Sequence, residues 1–355
     1  MSPKDTIPVR QGEELDLDKV EQLIREHVSG LSDDPLEVEQ FFLGSSNLTY
    51  QLRIGDWEAV LRRPPHGPVA PKAHDMEREF NILKEINPHF PVAPKPYFFY
   101  SNEEEGKPFF VMERKKGVVL DSNMPEEIKL SEKTNRDISE AMVDTLVQLH
   151  DIDYTKTNLK NMTKPDGFLE RQVHGWISRY ERSKTDDIQG VDELTRWMAH
   201  NIPETKESTI IHYDFKLNNA MFDQNDLTQL VGLFDWEMTT VGDPLADLGV
   251  AMSYWQESGD SELLKKGLGN EPITTQPGFM SRDEFIEAYA KKSGRNVTNM
   301  NFYQTFAYFK LAVICQQIYY RYKKGQTQDQ RFAKLNYFVE NLIEYALYSL
   351  NRKAN

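Results

Sequence analysis

The sequence has one cysteine in 355 residues, a scarcity that excludes an intrachain disulfide framework. Cys315 lies in an apolar run over residues 311–318, where a buried core thiol is expected and a reducing compartment is natural. Also missing is any uncharged apolar stretch long enough to span a bilayer. The first residues, with Lys4, Asp5, Arg10, Glu13 and Glu14, contain no apolar signal region, so the expectation is a soluble cytoplasmic protein without a membrane partner. Basic tracts are absent too: 42 Lys and Arg face 56 Asp and Glu, a formal charge of −14. Nothing in that balance tracks a nucleic-acid backbone, which argues against nucleic acid as a partner. Neither an internal repeat nor a low-complexity segment is found.

What is present reads as a globular chain. Apolar residues make up 39% and aromatics 11%, spread along the whole length, which opposes extensive disorder. The length exceeds what one hydrophobic core normally serves, so one bilobal unit or two domains is expected. The first hundred residues read as mixed strand and helix, and the remainder, apart from a hairpin near residue 225, as mainly helical. An entry helix is predicted over 18–28, with Val20, Leu23, Ile24 and His27 on one stripe. Leu48, Tyr50, Leu52 and Ile54 alternate with polar residues, as do Trp57, Ala59 and Leu61 after the turn dipeptide Gly55-Asp56. Three antiparallel strands over 38–62 follow, the first two joined by Gly44, Ser45, Ser46 and Asn47, a small-residue loop able to bring N–H groups to a phosphate. Next, Met76, Phe80, Leu83 and Ile86 mark a helix. Glu79 falls on its apolar side and needs a cation, for which Arg62 is the candidate. A strand over 109–113 and a bend at Gly117 place the division between residues 1–113 and 114–355. Ile138, Met142, Leu146 and Leu149 are core positions of a helix ending at His150 and Asp151. Later helices around 285–292, 302–322 and 334–350 are expected to form the outer wall of the second part.

The chemistry is concentrated in Ile210-Ile211-His212-Tyr213-Asp214-Phe215-Lys216-Leu217-Asn218-Asn219 and Leu230-Val231-Gly232-Leu233-Phe234-Asp235-Trp236-Glu237. A short strand at 220–222 and a polar turn at 223–229 make a hairpin whose antiparallel pairing would bring Asn219 and Asp235 to one edge. Both offer oxygen, as magnesium prefers. Asp214 precedes Asn219 by five positions on a loop, the order of catalytic loops in which the Asp accepts a substrate hydroxyl's proton and the Asn takes metal. His212 is expected to brace the loop, Asp243-Pro244 to start a helix, and Asp247 to tie the loop's backbone. Glu237 stays open. In so acidic a chain, a nucleotide site would need a metal and a few local cations to offset phosphate charge.

The pattern His-x-Asp-x-x-x-x-Asn followed by a strand ending in Asp-Trp-Glu resembles the aminoglycoside-phosphotransferase and choline-kinase family over about residues 41–322. The runs Ser45-Ser46-Asn47-Leu48-Thr49-Tyr50, Leu61-Arg62-Arg63-Pro64-Pro65, Gly242-Asp243-Pro244-Leu245-Ala246-Asp247-Leu248-Gly249 and Ile318-Tyr319-Tyr320-Arg321-Tyr322 are more similar still to kinase-like domains related to those fused to acyl-CoA dehydrogenases. The resemblance implies an α+β, bilobal, protein-kinase-like fold: a small N-lobe with an antiparallel sheet and one helix, and a larger, mainly helical C-lobe. It also implies ATP as cosubstrate, Mg2+ held by Asn219 and Asp235, and Asp214 as base. Ser45, Ser46 and Asn47 would cover the phosphates, backbone groups at Met112, Glu113 and Arg114 would hold adenine, and Glu79 would orient the phosphate-binding cation. That cation is Arg62 or Arg63 where the family usually has Lys. The expected reaction moves the γ-phosphoryl group to a hydroxyl of a small molecule, such as a hydroxyacyl or hydroxy-acid compound. Alternatives are an aminoglycoside kinase, which the acidic surface would suit, and a nucleotide-binding regulator without turnover. A protein kinase is disfavoured because no activation-segment signature lies between Asp235 and Asp247. Tyr254, Trp255 and Arg321 are candidates for the acceptor pocket. The oligomeric state is left open.

Overall fold

The computed structural model describes residues 5–41, 47–65, 75–102, 108–120, 128–267 and 272–351. It divides into two compact units, residues 1–117 with 231–237, and residues 118–230 with 238–355.

The first unit is a six-stranded sheet with two helices. Its strands are β1 (Thr6–Ile7), β2 (Glu37–Phe41), β3 (Leu48–Ile54), β4 (Trp57–Arg63), β5 (Pro96–Tyr100) and β6 (Phe109–Glu113), in the order β1-β2-β3-β4-β6-β5. Each neighbouring pair in this order is antiparallel. The β3–β4 register pairs Ile54 with Trp57, a two-residue turn that asks for positive φ, which Gly55 supplies at 57°. Asp16 caps α1 (Leu17–His27) by accepting from the Lys19 N–H at 3.1 Å. Side chains alternate across a strand, so Tyr50, Leu52, Ala59, Leu61 and Val111 share one face and pack with Val20, Leu23 and Ile24 of α1. The opposite face takes α2 (Met76–Ile86), where Phe80 lies 6.3 Å from Phe110, ring to ring.

The second unit is built from helices. It contains β7 (Val118–Val119), α3 (Glu132–His150), α4 (Leu159–Met162), α5 (Phe168–Ser183), α6 (Val191–His200), β8 (Thr209–Ile211), β9 (Ala220–Phe222) and the first residue of β10 (Leu230–Leu233). Then come β11 (Thr240–Gly242), α7 (Pro244–Tyr254), α8 (Glu262–Lys266), α9 (Arg282–Ser293), α10 (Met300–Lys323) and α11 (Leu335–Asn351). Strands β8 and β11 pair antiparallel, and so do β7 and β9. The turn between β9 and β10 is closed by the Asp223 N–H on the Gln229 carbonyl at 2.9 Å.

One expectation is corrected here. Instead of being an outer wall, α10 is the axis of the second unit and packs against α5, α7 and α11. Phe302, Tyr303, Phe306, Ala307, Phe309, Ala312 and Val313 are all buried, so apolar residues fall on every side of the helix, which a one-sided stripe would not give. Gly249 of α7 lets the two helices meet: a Cβ there would stand 2.7 Å from the Tyr303 carbonyl oxygen.

Phe309, fully buried and 5.9 Å ring to ring from Tyr180, measures how far the unit depends on this axis. Phe309→Ala is expected to cost about 3–5 kcal/mol in urea unfolding. Tyr348→Ser, at a position 64% exposed, is expected to stay within about 0.5 kcal/mol of the parent protein.

Candidate functional site

In the first unit, strand alternation decides what each arginine of β4 can reach. Arg62 follows Leu61, so it points to the face of α2, and Arg63 points to the face of α1. Arg62 is nearly buried, with its Nε 3.2 Å from Glu79 Oε2 and its Nη2 2.8 Å from Asp235 Oδ1. Burial opposes the Arg62 charge, and Glu79 and Asp235 outweigh it, so its pKa rises. Glu79 is pushed up to about 7 by burial and by Asp235 and Glu237, against the pull of Arg62. The predicted partnership of Arg62 with Glu79 is therefore present. Arg63 is taken up elsewhere, donating to the Glu13 carbonyl at 2.7 Å and to Tyr50 Oη at 2.8 Å, and stacking on the Tyr50 ring. Asp235 has φ 67°, a left-handed conformation that is uncommon for any residue but glycine. Arg78 donates to the Glu237 carbonyl at 2.7 Å.

In the second unit, the loop from β8 to the helical turn Leu217–Asn219 carries Asp214. Asp243 caps α7 and Pro244 opens it, which buries Asp247 one turn further on. Its carboxylate accepts from the His212 N–H at 2.7 Å and the Tyr213 N–H at 2.8 Å, and lies 3.2 Å from His150 Nε2. Burial would raise its pKa, but these donors win and hold it below the usual carboxylate range. The His150 Nδ1 is 2.7 Å from Tyr289 Oη. Tyr213, like Asp235, is left-handed, at φ 65°; these two are the non-glycine residues with positive φ among the described residues. The Asp214 N–H donates to His212 Nδ1 at 3.3 Å, so His212 does brace the loop.

Asp214 itself is 16% exposed, with Lys216 Nζ 2.9 Å from its Oδ2. The Asn219 side-chain N–H2 donates to the same Oδ2 at 3.1 Å and to the Asp214 carbonyl at 3.0 Å. With its nitrogen so engaged, Asn219 has Oδ1 as its ligand atom. An amide oxygen is a hard donor of the kind that magnesium takes, and so, in the first unit, is the Asp235 carboxylate; each residue by itself has the chemistry of a ligand for that ion.

The other candidates are placed as follows. Ser45 and Ser46 lie outside the described residues, whereas Asn47 is buried. Met112 is buried in β6, and the Glu113 N–H donates to the Lys95 carbonyl at 2.8 Å. The Arg114 guanidinium is held by Asp5 at 3.0 Å and Glu58 at 3.3 Å, so only its backbone is available to a ligand. Tyr254 has the Lys216 ammonium 4.9 Å above its ring. Trp255 is a core residue: its indole N–H donates to the Met280 carbonyl at 2.8 Å, and its ring packs on Phe279 and Phe285. Arg321 is exposed near the end of α10. Sequence reasoning assigned nothing to Lys216, His150 or Lys310, whose Nζ donates to the Tyr213 carbonyl at 3.1 Å. Lys310 had a signal, being the one charged residue in the first 21 positions, 300–320, of α10.

Comparisons with known proteins bear on the family and the fold. The model of the phosphotransferase enzyme family matches residues 37–275. Acyl-CoA dehydrogenase family member 11 of Rattus norvegicus is 32% identical over 336 residues, covering 92% of this chain and 42% of that protein. The chain thus spans less than half the length of that relative. Among solved structures, a Ralstonia eutropha protein provisionally described as an aminoglycoside phosphotransferase superposes with a TM-score of 0.78 at 28% identity, covering 94% of this chain and 99% of that one. Choline kinase from Cryptosporidium parvum shares the fold, with a TM-score of 0.57 at 14% identity and coverage of 95% and 99%.

The Asp247 network predicts an acid limb in stability. A carboxylate whose folded pKa is depressed stabilises above its unfolded value, 3.8, and loses that contribution as pH falls below it. Asp247→Asn is expected to lose about 3–5 kcal/mol at pH 7 by breaking a buried charged network, and to flatten the decline in Tm below pH about 4. Thermal unfolding across pH 2–7 checks both.

Proposed function

The chain belongs to the phosphotransferase enzyme family, and on that premise we propose that it transfers the γ-phosphoryl group of ATP to a hydroxyl of a small molecule. The observation that carries the reading is the loop itself: a carboxylate, Asp214, held beside Asn219 on a backbone that Asp247 fixes. In the proposed reaction the acceptor hydroxyl donates its hydrogen bond to Asp214. As its oxygen bonds to the γ-phosphorus, the bond from phosphorus to the bridging oxygen breaks, ADP departs, and the hydroxyl proton passes to Asp214. Asn219 and Asp235 would hold magnesium, which when bound neutralises charge on the phosphate oxygens. Arg62 is the phosphate-binding cation in this reading and Arg63 is not, because Arg62 is the one that Glu79 orients. A guanidinium can grip phosphate through two parallel N–H bonds.

The acceptor is proposed to be anionic, a hydroxy acid or its acyl thioester. Around Lys310 the charges are Asp214 and Asp247 against Lys216 and Arg179, so with Lys310 itself three cations meet two carboxylates there, a small local excess in a chain of charge −14. Such an excess favours a negatively charged acceptor over a cationic aminoglycoside. Similarity to proteins named acyl-CoA dehydrogenases makes acyl thioesters and their free acids the first class to screen.

Asp214→Ala is expected to lower kcat by about 10²–10⁴ with Tm nearly unchanged. Mass-spectrometric screening of hydroxy acids, hydroxyacyl thioesters and aminoglycosides with ATP identifies the product, and turnover that survives the substitution would sink the assignment. Asp235→Asn is expected to weaken the thermal stabilisation that ATP gives in the presence of magnesium, and to leave the shift with ATP and EDTA as it was. Stabilisation by ATP without turnover of any acceptor would favour a regulatory nucleotide-binding role instead.

A further inference from the structure

Lys310 is a costly residue in this position. It is 4% exposed on the central helix α10, and its ammonium lies 3.5 Å from the centroid of the Tyr213 ring and 5.8 Å from that of Trp176. Its hydrogen bond goes to a neutral group, the Tyr213 carbonyl at 3.1 Å. Among the described residues no carboxylate lies within ion-pair distance of it. A buried ammonium without a carboxylate is normally selected against on stability grounds alone. Leucine or methionine would fill the same space beside the Tyr213 and Trp176 rings.

What the lysine touches is the residue immediately before the proposed base. Tyr213 has φ 65°, a left-handed conformation that is strained for a bulky side chain. Its hydroxyl is buried and makes no hydrogen bond, so the side chain is not held through its polar end. The backbone is held from both sides: Asp247 accepts from the N–H at 2.8 Å, and the Lys310 ammonium donates a hydrogen bond to the carbonyl. That carbonyl belongs to the peptide unit whose nitrogen is Asp214's own.

We propose that Lys310 is a positioning residue for the catalytic loop, its ammonium and the Asp247 carboxylate clamping the two peptide groups of Tyr213 and so fixing the direction in which Asp214 leaves the backbone. The kinetic consequence rests on the phosphotransferase reading; the backbone consequence does not. The charges facing the ammonium are Asp214 and Asp247, which favour its proton, and Lys216 and Arg179, which disfavour it. Burial prevails and brings Lys310 down to about 8, so the clamp is fully charged below that pH and weakens above it.

The test compares wild type with Lys310→Met, a near-isosteric apolar replacement. Hydrogen exchange is the readout independent of activity: protection of the Tyr213 and Asp214 amides is expected to fall at least about tenfold, the equivalent of one lost hydrogen bond, while core amides of α3 stay protected. In turnover, kcat is expected to fall about 10²-fold, as for an ångström-scale misplacement, with the KM for ATP little changed. The wild-type decline of kcat above pH about 8 should be missing from the variant. A folded Lys310→Met protein with wild-type protection at Tyr213 overturns the proposal, whether or not turnover falls. Lost protection supports it even if no acceptor is turned over, the result that would count against the phosphotransferase reading alone. If Lys310→Met does not fold, Lys310→Leu and Lys310→Ala take its place, and wild-type protection at Tyr213 in either folded variant overturns the proposal.

Discussion

One buried carboxylate organises the second unit. Asp247 has no exposure at all, and an ion in that place is tolerable only if its oxygens are fully engaged. They are engaged by two successive backbone N–H groups of the β8 loop and by His150 from α3. The geometry therefore runs outward from the charge. The helix start at Asp243-Pro244 sets where Asp247 sits, Asp247 sets where the His212 and Tyr213 amides sit, and those amides force the left-handed turn that presents Asp214. The strain at Tyr213 persists because the surrounding bonds over-determine it.

A similar logic applies in the first unit with the sign reversed. There the buried ion is a cation, Arg62, and two carboxylates from different elements, Glu79 of α2 and Asp235 beyond β10, hold it. Here the left-handed residue is itself one of the functional candidates, Asp235. Strand parity separates two adjacent arginines that composition cannot distinguish. Arg62, on the α2 face, joins the carboxylates, while Arg63, on the other face, anchors the N-terminal segment at Glu13 and the Tyr50 ring.

Much of this was legible in the sequence because it depends on local periodicity. The alternation through Tyr50, Leu52, Ala59 and Leu61 located the paired strands, Gly55 their turn, and the 3.6-residue stripe placed α2 and, with it, Glu79 opposite a cation. The role of Asp247 was readable from its spacing behind an Asp-Pro helix start. What could not be read depends on contacts far apart along the chain. Strand β5 lacks a clean alternation in Tyr97, Phe98 and Phe99, and its pairing with β6 carries an irregularity between Pro96 and Phe98. His150 looked like the end of a helix, since its partner Tyr289 lies 139 positions away. Trp255 was weighed as a pocket wall, whereas the Met280 carbonyl and two phenylalanine rings hold it in the core. Helix α10 was expected in an outer wall, and its burial follows from three partners that only the folded chain assembles.

Charge distribution is the last constraint. A net charge of −14 makes the surface as a whole repel anions, and a uniform field of that sign would oppose both a triphosphate and an anionic acceptor. The cations are therefore placed where screening is weakest. Arg62 is nearly buried between its carboxylates, Lys310 is buried under Tyr213, and Lys216 lies against Asp214. At effective dielectric constants well below that of water, each such charge acts several-fold more strongly than an exposed lysine, and screening by salt reaches it less. Few cations in the interior can thus offset many anions at the surface, and a chain of acidic composition remains compatible with phosphate chemistry.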